Sequence, residues 1–309
     1  MKSKLNNLSV SSPAFTLMEL LVVIAVIGLL SSIIFAITRG ANEQGRIAKG
    51  LYFSQHLHNS LGSWAAGIWS FDEGSGTTAN DISGWGNNGT LVDSPVWRCA
   101  GVDLNFTPSG QGCSLEFDGV NNYVDLGSAV SLDNAFENKQ QFTIELWLNS
   151  QVVTPRSEVV LSKWVVSPMN GWVLRLNDAR LPYFHIREGA DVMYANAPTS
   201  TMLNKWHHIA ITRDTQNITV YLDSKAGTPV TTSLNISAAD ANLLIGYAVL
   251  NNYFSGFIDE VRIYATDLTA TQIQSQYYAG LDRLLAKNLI DEQEYQERTE
   301  ELNKTLAHK

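Results

Sequence analysis

Phe142-Thr143-Ile144-Glu145-Leu146-Trp147-Leu148 carries an apolar residue at every second position. Side chains two apart on a strand share a face. Phe142, Ile144, Leu146 and Leu148 therefore read as the buried side of a β-strand. Outward from this stretch, similar runs recur at 158–164, 171–176, 181–187, 206–213, 217–223, 242–247 and 257–264. Each is rich in Val, Ile, Thr or aromatic residues, and Gly, Asn, Asp and Pro separate them. No helical pattern alternates with these runs between residues 68 and 264. Many short strands without crossover helices predict a mainly β fold, a two-sheet sandwich.

The order of several segments adds to this reading. Trp69-Ser-Phe-Asp-Glu-Gly-Ser-Gly76 precedes Asp81-Ile-Ser-Gly-Trp-Gly-Asn-Asn-Gly-Thr-Leu91, and Leu115-Glu-Phe-Asp-Gly-Val-Asn-Asn-Tyr-Val124 follows. Then come Phe142-Thr-Ile-Glu-Leu-Trp147, Trp206-His-His-Ile-Ala210, Val220-Tyr-Leu-Asp223 and Phe257-Ile-Asp-Glu-Val-Arg-Ile-Tyr264. This series resembles a laminin G-like domain of the concanavalin A-like jelly-roll class, over residues 67–278. The resemblance implies that the first and last strands pair. It also implies calcium, held by Asp81, Asp118 and Asp259 with Asn87, Asn88, Asn121 and Asn122 as further oxygen donors of the hard type Ca²⁺ takes. Asp and Asn also populate turns for local hydrogen-bonding reasons, and both readings stand at this stage. A sugar ligand would need exposed aromatic rings. Trp85, Trp164, Tyr194, Tyr247 and Tyr253 lie in or beside expected loops and qualify by type; the core is the competing place for them.

The N-terminus has a different character. Pro13-Ala-Phe-Thr-Leu-Met-Glu-Leu-Leu-Val-Val-Ile-Ala-Val-Ile-Gly28 opens the chain's membrane-length apolar stretch, residues 20–37. As a helix that stretch spans about 27 Å. A lone carboxylate at its edge, Glu19, costs roughly 2.5–3.5 kcal/mol on insertion scales, so a partner is expected. The pattern resembles the signal of type IV pilins and type II secretion pseudopilins. The resemblance implies a prepilin peptidase cut between Ala14 and Phe15, methylation of the new amine, and pairing of Glu19 with the terminal amine of a neighbouring subunit. The family usually has Gly before the cut, where this chain has Ala14. A plain single-pass anchor is the alternative. Lys2 and Lys4 precede the run while Arg39, Arg46 and Lys49 follow it, so loop charge alone does not orient it. The resemblance places all that follows outside the cytoplasm, in a single-pass protein of the bacterial cytoplasmic membrane that reaches the cell surface or a pilus after assembly.

The expected organisation is a leader at 1–14, a pilin-like helix at 15–64 crossing the membrane at about 20–37, the jelly-roll sandwich at 67–278 and a short helical tail at 281–309. Thr269-Ala-Thr-Gln272 matches a capping box, and Asp291-Glu-Gln-Glu294 is a second helix start. The tail reads either as a solvated charged helix or as an oligomerisation element. Cys99 and Cys113 close a short insert and read as one disulfide in an oxidising compartment, or as two free thiols.

A formal net charge of −9 in 309 residues, with no basic cluster among aromatics, excludes nucleic acid as an expected partner. Catalysis is not expected. Retaining glycosidases need two carboxyl groups about 5–5.5 Å apart, and the strand at 142–148 offers Glu145 alone. Asp72 with Glu73, and Asp259 with Glu260, are adjacent pairs that a regular strand would point to opposite faces. The leading expectation is a structural pilin-like or pseudopilin-like subunit. Its partners would be like subunits or other pilins, prepilin peptidase and the membrane, with a glycan or surface protein as ligand of the sandwich. The alternative is a membrane-anchored lectin or adhesin not built into a filament.

Overall fold

A computed structural model describes residues 17–18, 20–29, 31, 61–100, 107–108, 112–136, 141–151, 157–167, 169–234, 236, 241–248 and 252–307. The chain divides into two units, residues 1–49 and 50–309. In the first, residues 17–18, 20–29 and 31 are helical, and Leu20, Ile24 and Ile27 are exposed. Among the described residues no helix is long and apolar enough to cross a membrane. Ala14, Phe15, Glu19 and, of the expected 20–37 span, residues 30 and 32–37 lie outside the described residues.

The second unit opens with β1 (Ala65–Trp69), β2 (Thr78–Ala79), β3 (Gly89–Val92), β4 (Val96–Cys99), β5 (Cys113–Asp118) and β6 (Tyr123–Asp125), then helix α1 (Val130–Phe136). Long strands follow: β7 (Phe142–Ser150), β8 (Glu158–Val166), β9 (Met169–Leu176), β10 (Pro182–Glu188), β11 (Asp191–Asn196), β12 (His207–Arg213) and β13 (Asn217–Leu222). The chain ends in β14 (Lys225–Ala226), β15 (Val230–Thr231), β16 (Leu243–Ile245), β17 (Ser255–Tyr264), α2 (Ala270–Ala286) and α3 (Glu292–Ala307). Each run expected as a strand from 142 to 264 forms one, with ends shifted by a residue or two.

Among the described residues the first sheet runs β14-β13-β12-β7-β17-β5-β4, with β1 also on β17 and β15 also on β13. The second runs β11-β10-β9-β8-β16-β6-β3-β2. β1 pairs antiparallel with β17, Ile68 opposite Arg262, so the first and last strands are neighbours. Between the sheets Phe142, Ile144, Leu146 and Leu148 meet Trp172, Leu174, Leu176, Phe184 and Ile186 in one core cluster. Each such side chain contributes about 1.5–3 kcal/mol on burial. α1 adds Leu132 and Phe136, the latter 4.9 Å from Trp172 between ring centroids. It also presents Asp133 to Lys163, whose Nζ lies 2.6 Å from Asp133 Oδ1 although Lys163 is 1% exposed.

Strand β7 is buried on both faces. Its outer face lies beneath the C-terminal helices, where Trp147, Trp206 and Phe257 cluster with Tyr277, Leu281, Leu284, Ile290 and Tyr295. The capping box forms at Thr269 and Gln272, and Asp291 Oδ1 accepts from Glu294 N. The reading of a solvated tail is thereby corrected: the sparse apolar stripe among its charges is a docking face. α2 also runs unbroken through residues 278–281, so the junction expected there falls inside a helix. Gly280 permits the docking, because a Cβ there would sit 2.1 Å from Trp147 Cζ2. Cys99 and Cys113 are disulfide-bonded across β4 and β5.

Candidate functional site

The outer face of the second sheet is built by simple alternation. On β10, Phe184 and Ile186 enter the core, which turns Tyr183, His185 and Arg187 outward. On β11, Met193 and Ala195 point in, so Val192, Tyr194 and Asn196 point out. On β9 the outward residues are Gly171, Val173 and Arg175. A bulge between Val159 and Leu161 resets β8, after which Ser162 and Trp164 face outward.

These side chains meet in register. His185 stands opposite Tyr194 on one side and Val173 on the other. The His185 and Tyr194 rings stack, with centroids 4.7 Å apart and planes 19° apart. Trp164 reaches His185 from the far side of β9, at 5.2 Å. Gly171 stands opposite Trp164 and lets the two strands approach closely there. Its φ of 123° suits glycine, and a Cβ would lie 2.1 Å from the Lys163 carbonyl oxygen. Tyr183 adds a further ring 6.2 Å from Tyr194. Among the described residues β11 is the edge strand, with no strand flanking the far side of Tyr194, which is 54% exposed.

A second group lies further along the same sheet. Tyr247 stacks on Tyr253 at 4.4 Å and 14°, and Tyr123 lies 5.0 Å from Tyr247. Strand β8 links the two groups: Ser162 Oγ donates to the Tyr247 carbonyl at 2.6 Å, and Ala248 packs with Val159, Val173 and Trp164. Four of the five aromatics singled out from sequence thus share this face. The fifth, Trp85, is exposed but donates through Nε1 to the Ala65 carbonyl beside the other sheet. Sequence reasoning missed Tyr183, His185 and Tyr123. The signal for the first two was present in Tyr183-x-His185-x-Arg187, an alternation whose polar side is itself aromatic and basic.

The electrostatics differ along the face. Burial, with Arg175 and Arg187 nearby, pushes His185 down to about 4, so its imidazole is neutral at pH 7. At the other end burial, then Asp125, raises the Tyr123 hydroxyl.

Glu145, Asp259 and Glu260, singled out from sequence, lie on the other sheet. Glu145 is 1% exposed on the outer face of β7, and burial lifts its carboxyl to about 7 against the pull of Arg262. Its neighbour His208 Nε2, 3.8 Å away, is pushed by burial to about 3. The expectation for Asp259 and Glu260 needs correction. β17 bulges there, with Glu260 at φ 52°, so Asp259 and Arg262 face the same side. Glu260 is held by Arg262 at 2.5 Å, and Asp259 is buried with its carboxyl raised by burial and by Glu260.

The acids expected for calcium occupy separate turns and strands. Asp81 accepts from the backbone of Ile68, Ser83 and Asn87. Asp118 accepts from Val120 and Asn121, while Asn88 and Asn122 accept from the Asp81 and Asp118 amides. Among the described residues no group of three or more His, Cys, Asp or Glu could hold a metal ion. The turn-forming reading accounts for the bonds that Asp81 and Asp118 make.

A profile described as the concanavalin A-like lectin/glucanases superfamily matches residues 118–274. No curated protein matches the chain in sequence. Among solved structures, domain 4 of AbnA, a GH43 extracellular arabinanase from Geobacillus stearothermophilus solved in complex with arabinotriose, is similar. It is 17% identical with a TM-score of 0.51, over 68% of this chain and 97% of that one. The binding domain of Paraclostridial Mosquitocidal Protein 1 is 14% identical with a TM-score of 0.58, over 72% of this chain and 53% of that one. The botulinum neurotoxin serotype G binding domain is 14% identical with a TM-score of 0.54, over 70% and 51%. The chain thus spans nearly all of the arabinanase domain but about half of each toxin binding domain, and at these identities the likeness is one of fold.

Proposed function

This chain belongs to the concanavalin A-like lectin/glucanases superfamily, and we propose that its sandwich is a non-enzymatic carbohydrate-binding module carried by a pilin-like N-terminus. The observation that carries the binding half is the ring ladder of Trp164, His185 and Tyr194 on an uncovered sheet face. Ligand sites combine apolar and aromatic surface with a few placed polar groups. A pyranose offers a patch of C–H groups to such rings and a rim of hydroxyls to the polar groups beside them. The similar arabinanase domain, solved with arabinotriose, agrees with a saccharide as occupant. Burial of Glu145 beneath α2 supports binding without turnover.

The N-terminal half of the proposal rests on sequence: the apolar run, Glu19 and the junction at Ala14 and Phe15. In this reading the peptidase releases Phe15 and the helices of like subunits or other pilins assemble. Glu19 meets a neighbour's terminal amine, and the sandwich stands outside the cytoplasmic membrane on a pilus or at the cell surface. Delivery as a membrane-anchored adhesin is the second reading.

Two measurements test the halves separately. Mass spectrometry of the chain co-expressed with prepilin peptidase should give a mature start at Phe15, one methyl heavier; an intact Met1 would leave the anchored adhesin. A panel of immobilised oligosaccharides, run once with calcium and once with EDTA, should retain the chain. Silence across the panel would remove the binding function.

A further inference from the structure

The chemical class of the saccharide can be taken further, on the carbohydrate-binding reading above. We infer that the face formed by Trp164, His185 and Tyr194 takes an acidic saccharide, its carboxylate or sulfate held by Arg175 and Arg187.

The register places the two arginines on either side of the stacked pair. Arg187 lies two residues beyond His185 on β10, opposite Gly171 and Val192. Arg175 lies two residues beyond Val173, the partner of His185 on β9, and stands opposite Tyr183. Their rows are four residues apart, about 13 Å along the strands. Both side chains are long enough to lean toward a ring seated on Tyr194 between them.

Neither cation is neutralised from within. Arg98, Arg262, Arg283 and Arg298 each have a carboxylate within ion-pair distance. Among the described residues Arg175 and Arg187 have none. The acids of the same hairpin, Glu188 and Asp191, stand opposite each other at its turn, outside ion-pair distance of Arg187. Asp93 and Asp125 lie at the Tyr123 end of the face. Arg187 donates through Nε to the Gly189 carbonyl at 2.9 Å. Arg175 Nε and His185 Nε2 are buried without a hydrogen-bond partner among the described residues. In a chain of net charge −9, two guanidinium groups without a carboxylate at ion-pair distance among the described residues thus flank the ring platform. A planar fork matches carboxylate and sulfate oxygens bidentately, and the neutral imidazole between them suits a sugar hydroxyl.

The test uses the full chain in a polyoxyethylene detergent, which carries no sugar headgroup. Calorimetric titration compares tetragalacturonate with its fully methyl-esterified form, the same backbone without charge. A sulfated galactan tetramer separates sulfate from carboxylate, and an oligothymidylate controls for nucleic acid. The acid tetramer, or the sulfated one, should bind at least about tenfold more tightly than the ester, a difference of one good charge-assisted contact. Arg175→Gln and Arg187→Gln should each bring that preference down toward unity, and Arg187→Lys should restore part of it. Unchanged tryptophan fluorescence shows that the variants are folded. Equal affinity for acid and ester, or tighter binding of oligothymidylate, would overturn the inference; the former leaves the carbohydrate reading standing. If no saccharide binds, that reading falls as well.

Discussion

Tyr194 and His185 stack face to face, 4.7 Å between centroids, on two strands of which one is the sheet edge. The pairing follows from register: the β10–β11 hairpin sets residue 185 opposite 194, and the inward Phe184, Ile186, Met193 and Ala195 oblige both rings to face out. The core that stabilises the sandwich therefore also positions the face proposed to bind. Variants elsewhere in the fold can be separated from variants on that face. All eight tryptophans lie between Trp64 and Trp206, so intrinsic fluorescence reports on the sandwich.

Gly171→Ala should damage both stability and the ladder. The added methyl would meet the Lys163 carbonyl at 2.1 Å in a backbone conformation that L-residues avoid. A loss of about 2–3 kcal/mol is expected in urea denaturation. Wild-type stability for this variant would show that the β8–β9 backbone yields to the methyl at no cost.

Gly280→Ala reverses the usual sign of its substitution. In an exposed helix the change gains up to about 1 kcal/mol. Here the methyl collides with Trp147, and overpacking should cost about 1–3 kcal/mol. A gain in midpoint would mean that α2 is not docked through this contact.

Lys163→Met leaves Asp133 beside the core without its cation. Breaking such a pair costs roughly 3–5 kcal/mol, whereas removing both charges is close to neutral. The double variant Lys163→Met with Asp133→Leu should recover most of the loss in the same denaturation series. Equal stability of the single and double variants would show that the ion pair carries little of the energy.

Glu145 should make stability fall as pH rises. Burial lifts its carboxyl to about 7 in the fold, against an ordinary value of about 4.3. Between these values the folded chain holds a proton that the unfolded chain has released. The stabilisation is thus complete below about 4.3 and lost as pH rises through about 7. Glu145→Gln has no such proton to lose. From pH 5 to 8 the wild type should weaken relative to the variant by up to roughly 3 kcal/mol. Parallel stability curves would place Glu145 in contact with water.

The β-strands were legible because alternation is local: 142–148, 181–187 and 257–264 each name their buried face. The capping box at Thr269 was legible for the same reason. What escaped was set by tertiary contact. Nothing local distinguishes Tyr277, Leu281 and Leu284, which dock on Trp147, from a solvated stripe. The bulge at Glu260, which turns Asp259 and Arg262 to one side, leaves no mark in Asp259-Glu-Val-Arg262. Trp164, Tyr194, Tyr247 and Tyr253 were identifiable by type, but their gathering depends on strand order β11-β10-β9-β8-β16, which a sequence does not display.

Saccharide binding by Tyr194→Ala and Trp85→Ala, compared with wild type on one oligosaccharide panel, tests the binding face most directly. Both residues are exposed, at 54% and 63%, but only Tyr194 belongs to the ladder. Tyr194→Ala should weaken binding at least about tenfold, as truncation of a central aromatic anchor does, with unchanged fluorescence, while Trp85→Ala binds as the wild type does. Full binding by Tyr194→Ala, or its loss in Trp85→Ala alone, would contradict the placement of the site on the second sheet.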